Sequence, residues 1–179
     1  MANTTRVMDS YFRSILDLDK FKDIDSSLNG IQVDNDGSEI KKIAFAVDAG
    51  LEVFKRTIDA GAGLLFVHHG LFWGSINRIE GSYRERIKFL LDNNLSLYAV
   101  HLPLDQHPKL GNNAILAELL GLENLEPFGS YSGQKIGYKG NFSKALTVEE
   151  AEKKISYMNR PSLGILPFGK KENSSKEGE

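Results

Sequence analysis

The chain has 179 residues, 41% hydrophobic and 26% charged, an ordinary globular composition long enough to bury a core. Its 22 basic and 24 acidic residues leave a net charge of −2, which argues against a nucleic-acid or membrane-surface binder. The absence of cysteine excludes disulfides, thiolate metal sites and cysteine nucleophiles. No apolar run approaches the roughly 18 residues of a membrane span, and the N-terminus lacks the apolar core of a signal peptide, so a cytoplasmic home is expected.

Val7, Tyr11, Ile15 and Leu18 recur at helical spacing and predict a helix over 5–20, capped by Asn3, Thr4 or Thr5. The segment 21–37 is turn-rich, with a short alternating piece at Ile31-Gln-Val33. The two Asp-rich stretches, Asp17 to Asp25 and Asp34 to Asp36, read as solvated loops. From position 42 the pattern becomes regular. The apolar runs 42–47, 64–67 and 95–100 read as strands, and 51–60, 83–93 and 112–120 read as helices. Continuously apolar strands alternating with amphipathic helices predict an α/β fold with a mostly parallel sheet and helices on both faces.

After Gly121 the texture changes. Ser130 to Asn141 is glycine-rich and suggests one or two strands. Thr147-Val-Glu-Glu150 fits a capping box opening a helix to about Met158, closed by Pro161. Leu163 to Leu166 reads as a short strand, and 170–179 as a disordered tail. The expected organisation is a first α/β lobe over 1–125, the start of a second or intervening lobe over 126–169, and the tail.

The chemistry concentrates at strand ends. In a parallel sheet, ligands bind beyond the carboxyl ends of the strands. Asp48 ends the first apolar run, His68 and His69 the second, and His101 the third, with Asp105 four residues on. Imidazole with carboxylate suits zinc, manganese, iron or nickel. Adjacent histidines on a strand point to opposite faces, so each could serve a different ion of a pair. The bland alternative is that each histidine simply caps or hydrogen-bonds at its strand end, and Asp48 is the weakest of the candidates. His107 reads as a surface residue. Phe72 and Trp73 either line a pocket for a flat heterocycle or pack under a loop. The helix start at Gly111-Asn112 could receive an anion, although most such ends bind only a cap or water. No catalytic nucleophile or general base can be assigned, and no organic-cofactor motif is present.

Val67-His-His-Gly-Leu-Phe-Trp73 with Ala99-Val-His-Leu-Pro-Leu-Asp105 resembles the Nif-three-like family, also called GTP cyclohydrolase I type 2 homologs. Ser27-Leu-Asn-Gly-Ile-Gln-Val33 and Gly111 to Leu122 resemble two further segments of it. The resemblance implies two related α/β lobes, a pair of divalent metals and homohexamers. It makes His68 and His69 metal ligands, Asp105 the bridging carboxylate, and His101 a ligand or close neighbour. It also implies hydrolytic ring opening of a purine nucleotide. Family members continue beyond position 168 and supply a late His and Glu, whereas no histidine follows His107 here. The expectation is therefore a truncated chain with an incomplete dinuclear site. The competing expectation is a non-catalytic oligomeric scaffold.

Overall fold

Thr4 opens the first helix, its Oγ1 accepting the Val7 amide at 3.4 Å. The computed structural model describes residues 2–156 and 177–178, in two units, Met1–Leu104 and Asp105–Glu179. Helix α1 (Thr5–Leu16) stops at Asp17, which takes the left-handed conformation at φ 45°, a region Asp tolerates. The predicted helix over 5–20 thus ends early, and Leu18–Phe21 forms a tighter 3₁₀ turn. The three-residue period of that turn points Leu18 and Phe21 the same way, and both are buried.

The first unit holds strands β1 (Gly30–Val33), β2 (Ile43–Asp48), β3 (Leu64–His69) and β4 (Ser96–Ala99), with helices α2 (Leu51–Asp59) and α3 (Gly81–Asp92). The strand order is β1-β4-β3-β2. β2, β3 and β4 run parallel, and β1 pairs antiparallel with β4. The expected mixed α/β fold with mostly parallel strands is what the structure shows.

Side chains alternate across the two central strands. Leu65, Val67, Leu97 and Ala99 meet Phe54 of α2 and Leu90 of α3 on one face. Leu64, Phe66 and Tyr98 meet Phe12 and Leu16 of α1 on the other. There the Phe66 and Tyr98 rings stack at 5.6 Å and Phe12 sits edge-on to Phe66 at 5.1 Å. Helical cover on both faces therefore holds at the centre. It stops at the edge strand: Phe45 is 70% and Val47 60% exposed, although the Phe45 ring still touches Phe66 at 5.4 Å.

Helix α4 (Leu102–Gln106) carries the chain across the boundary and α5 (Asn112–Leu120) follows. Gly121 ends α5 at φ 74°, a left-handed stop that glycine adopts without penalty. Strands β5 (Leu122–Tyr131) and β6 (Gln134–Phe142) form an antiparallel hairpin. Its turn residues Ser132 and Gly133 both have positive φ, as a two-residue hairpin matched to strand twist requires. The predicted capping box is formed: Thr147 N–H donates to Glu150 Oε2 at 2.8 Å and Glu150 N–H to Thr147 Oγ1 at 3.2 Å, opening α6 (Val148–Ser156). Strand β7 (Glu177–Gly178) pairs with β6. The expected strand at 163–166, the stop at Pro161 and most of the expected tail lie outside the described residues.

Candidate metal centre

β2, β3 and β4 point the same way, so their carboxyl ends share one rim. Asp48 closes β2, His68 and His69 close β3, and His101 follows two residues after β4. One ring nitrogen from each of His68, His69 and His101 lies within 4.8 Å of the other two, and all three residues are half-buried. The His68 and His69 ring centroids are 4.5 Å apart, and those of His68 and His101 4.9 Å. The pleat expectation, which sends neighbours to opposite faces, does not separate these two rings. Long side chains at a strand end lean along the strand direction and converge past the rim.

The Nδ1 atom of each imidazole is engaged. His68 Nδ1 is 3.0 Å from the Val100 carbonyl oxygen, His69 Nδ1 2.7 Å from Asp48 Oδ1, and His101 Nδ1 2.9 Å from Asp25 Oδ1. Carbonyl and carboxylate oxygens only accept, so Nδ1 carries the proton in each ring. In a neutral ring the lone pair then sits on Nε2. This is the tautomer that carboxylate and carbonyl partners impose on metal-binding histidines.

Asp25 corrects the reading of its segment as a solvated loop: its side chain is 1% exposed. The carboxylate accepts from Asn29 Nδ2 at 2.8 Å, Ser27 N–H at 2.9 Å and Leu102 N–H at 3.0 Å, besides His101. Burial pushes the carboxyl up, but hydrogen bonds from Asn29, His101, Ser27 and Leu102 outweigh it and hold Asp25 below the usual carboxylate value. Asn29 also accepts the His101 N–H on its Oδ1 at 2.7 Å.

The loop after β3 is stapled from β1. Gln32 Oε1 accepts Leu71 N–H at 2.6 Å and Phe72 N–H at 3.2 Å, while Nε2 donates to the Leu28 carbonyl at 2.9 Å. Gly70 lies so close that a Cβ there would overlap the Gln32 carboxamide. The staple sets Trp73, whose indole is 4.9 Å from the His101 ring and 6.1 Å from that of His69. Beyond it opens a cleft of about 550 Å³ lined by Phe72, Trp73, Tyr83, Leu28 and Ile76. Phe72 and Trp73 thus both pack and line a pocket.

The remaining candidates fall as follows. Asp48 is a hydrogen-bond partner of His69. Asp105 lies in α4, where its Oδ1 accepts from Asn112 Nδ2 at 3.1 Å, and it is not among the three clustered ligands. His107 caps a local turn, its Nδ1 accepting Lys109 and Leu110 N–H. Sequence reasoning missed Asp25, Asn29 and Gln32 as supports. The Asn-Gly-Ile-Gln-Val piece hinted at Asn29 and Gln32 alone, through its likeness to a family segment.

Over 169 residues the chain is 44% identical to the GTP cyclohydrolase 1 type 2 homolog of Archaeoglobus fulgidus, spanning 94% of this chain and 64% of that protein. The homolog from Treponema pallidum is 47% identical over 144 residues, 80% of this chain and 50% of that protein. The chain thus spans between half and two thirds of these two relatives' lengths. The fold is similar to that of TTHA1606 from Thermus thermophilus, with a TM-score of 0.76 at 34% identity over 87% of this chain and 61% of that one. It is also similar to reduced HcgD from Methanocaldococcus jannaschii, with a TM-score of 0.70 at 31% identity over 86% and 59%. Among the described residues no helix is long and apolar enough to cross a membrane. The profile of the Duf34/NIF3 family (NGG1p interacting factor 3) matches residues 3–175, strand ends and histidines included, and the chain belongs to that family.

Proposed function

We propose that this protein binds a divalent cation through Nε2 of His68, His69 and His101, with Asp105 as the carboxylate of the set. The observation that carries this is the approach of three ring nitrogens within 4.8 Å, each on an imidazole whose Nδ1 is already committed. Three neutral imidazoles and a carboxylate fit zinc, manganese, iron or nickel. Among the described residues the three clustered imidazoles are donors for one ion, and Asp105 is proposed as a fourth.

The chemistry is hydrolytic. A divalent cation supplies Lewis acidity and makes water a competent nucleophile near neutral pH. The chain itself orients the imidazoles, keeps their protons on Nδ1 and flanks them with Trp73. A purine nucleotide is the proposed substrate, on the name that the relatives carry, and the cytoplasm the proposed location. A second reading, a non-catalytic protein acting as a homo-oligomer, draws on the exposed Phe45 and Val47 of β2.

Trp73 is the single tryptophan, and it lies against His101. Titration with Co²⁺ should therefore quench its fluorescence saturably in the wild type and not in His68→Ala plus Asp105→Ala. Equal metal content in the two purified proteins ends the ligand assignment. GTP consumption with added Mn²⁺ or Zn²⁺ supports the hydrolase. Self-association abolished by Phe45→Ser, without turnover, supports the scaffold.

A further inference from the structure

The three imidazoles are not held alike. His68 leans on a backbone carbonyl, His69 on a carboxylate that is 72% exposed, and His101 on one that is 1% exposed. Water competes for the Asp48 contact and screens it, whereas the Asp25 contact is dry. Asp25 is itself immobilised. Ser27 N–H shares Oδ1 with His101, while Asn29 Nδ2 and Leu102 N–H both donate to Oδ2, so the carboxylate has no alternative orientation. Asn29 closes the ring, donating to Asp25 and accepting the His101 backbone N–H. Ring and backbone of His101 are thereby fixed from one short segment, 25–29, before any ligand arrives.

We propose that Asp25, braced by Asn29, is the positioning residue of the metal centre, holding His101 with its proton on Nδ1 and its Nε2 lone pair facing the other imidazoles. This rests on the metal-site reading above for its purpose but not for its geometry. A buried anion behind the ring also strengthens Nε2 as a donor to a cation, as carboxylate partners of ligating histidines do. Asp48 does the same for His69 more weakly, because solvent shares its charge. The result is one rigid ligand and one adaptable ligand at the same site.

Asp25→Asn is nearly the same size yet cannot substitute. Either orientation of the amide sets an NH₂ group against donors that now meet an oxygen. Two measurements on the full chain test the assignment. Two-bond ¹H–¹⁵N spectra of the metal-free protein, at a pH where the imidazoles are neutral, report each ring's tautomer. Wild-type His101 should be Nδ1–H, and Asp25→Asn should shift it to a mixture or to Nε2–H. Zn²⁺ affinity, measured by chelator competition, should fall about 10- to 100-fold in Asp25→Asn and less in Asp48→Asn. Loss of folding stability alone moves neither the tautomer of the folded protein nor the order of the two variants. An unchanged His101 tautomer together with unchanged Zn²⁺ affinity in folded Asp25→Asn overturns the proposal, as does an Nε2–H tautomer in the wild type. Should Asp25→Asn fail to fold, the wild-type tautomer decides alone. A wild type that takes up no Zn²⁺ sinks the metal reading, while the tautomer shift still judges Asp25.

Discussion

The two units of this chain are stabilised by different means. In Met1–Leu104 the strands β3 and β4 bury large side chains on both faces: Leu64, Leu65, Leu97 and Tyr98 are all inaccessible to solvent. In Asp105–Glu179 the buried described residues are Gly111, Ala114, Ala117 and Gly140, all small. Strand β5 is exposed along nearly its whole length. The first unit is held by apolar burial, which scales with area. The described residues of the second are held by a backbone ladder and by close approach at glycine and alanine. A functional rim built on the first kind of scaffold is rigid, and the three clustered imidazoles stand at the carboxyl ends of β3 and β4 of that unit.

The largest effect should come from opening the first core. Leu97→Ala removes a side chain with no solvent exposure and should cost about 2 to 5 kcal/mol. Urea unfolding followed by Trp73 fluorescence measures it, since that indole belongs to the same unit. Phe128→Ala, on the half-exposed hairpin, should stay within about 0.5 kcal/mol. Equal costs would erase the contrast between the two units.

The same contrast explains what could be read from the sequence. β2, β3 and β4 were legible because unbroken apolar runs fit strands buried between helices. The histidines were legible because parallel strands finish on one rim. β5 was not, because Leu122 to Tyr131 is largely solvated and has no hydrophobic period to detect. β1 showed only as the alternating piece Ile31-Gln32-Val33, because it is four residues long with an irregular register. The supporting roles of Asp25 and Asn29 were hidden for a different reason. Their partner His101 is 76 and 72 residues away, so only the fold brings them together.

Next in size is a partly buried polar contact of the first unit. The Tyr98 hydroxyl donates to Asp9 Oδ1 at 2.9 Å, and Asp9 also accepts from Arg13 Nε at 3.0 Å. Burial, reinforced by Asp9, pushes the Tyr98 phenol well above its usual 10.0. Below that value both folded and unfolded chains keep the proton, and the full contribution stands. Above it the unfolded chain releases its proton while the fold retains it, so stability falls as pH rises. Tyr98→Phe should cost about 2 kcal/mol near neutrality and should flatten the alkaline decline. A wild type and a variant that lose stability in parallel from pH 9 to 11 would contradict the assignment.

The smallest of these effects tests the second unit on its own terms. Gly140 on β6 faces the β5 backbone, and a Cβ there would meet the Glu123 carbonyl oxygen and Leu125 Cδ2, each at 2.8 Å. The Leu125 methyl ends an exposed side chain and can rotate away, but the ladder carbonyl yields only if a strand moves. Gly140→Ala should therefore loosen the β5–β6 pairing by about 1 kcal/mol, read as faster amide exchange at Glu123 and Asn141, which pair there. Gly133→Ala offers the control: open space surrounds its Cβ position, but its φ is +82°. It costs through backbone strain at the turn rather than crowding in the ladder. If the turn variant alone speeds exchange at Glu123 and Asn141, close backbone approach is not what holds this unit together.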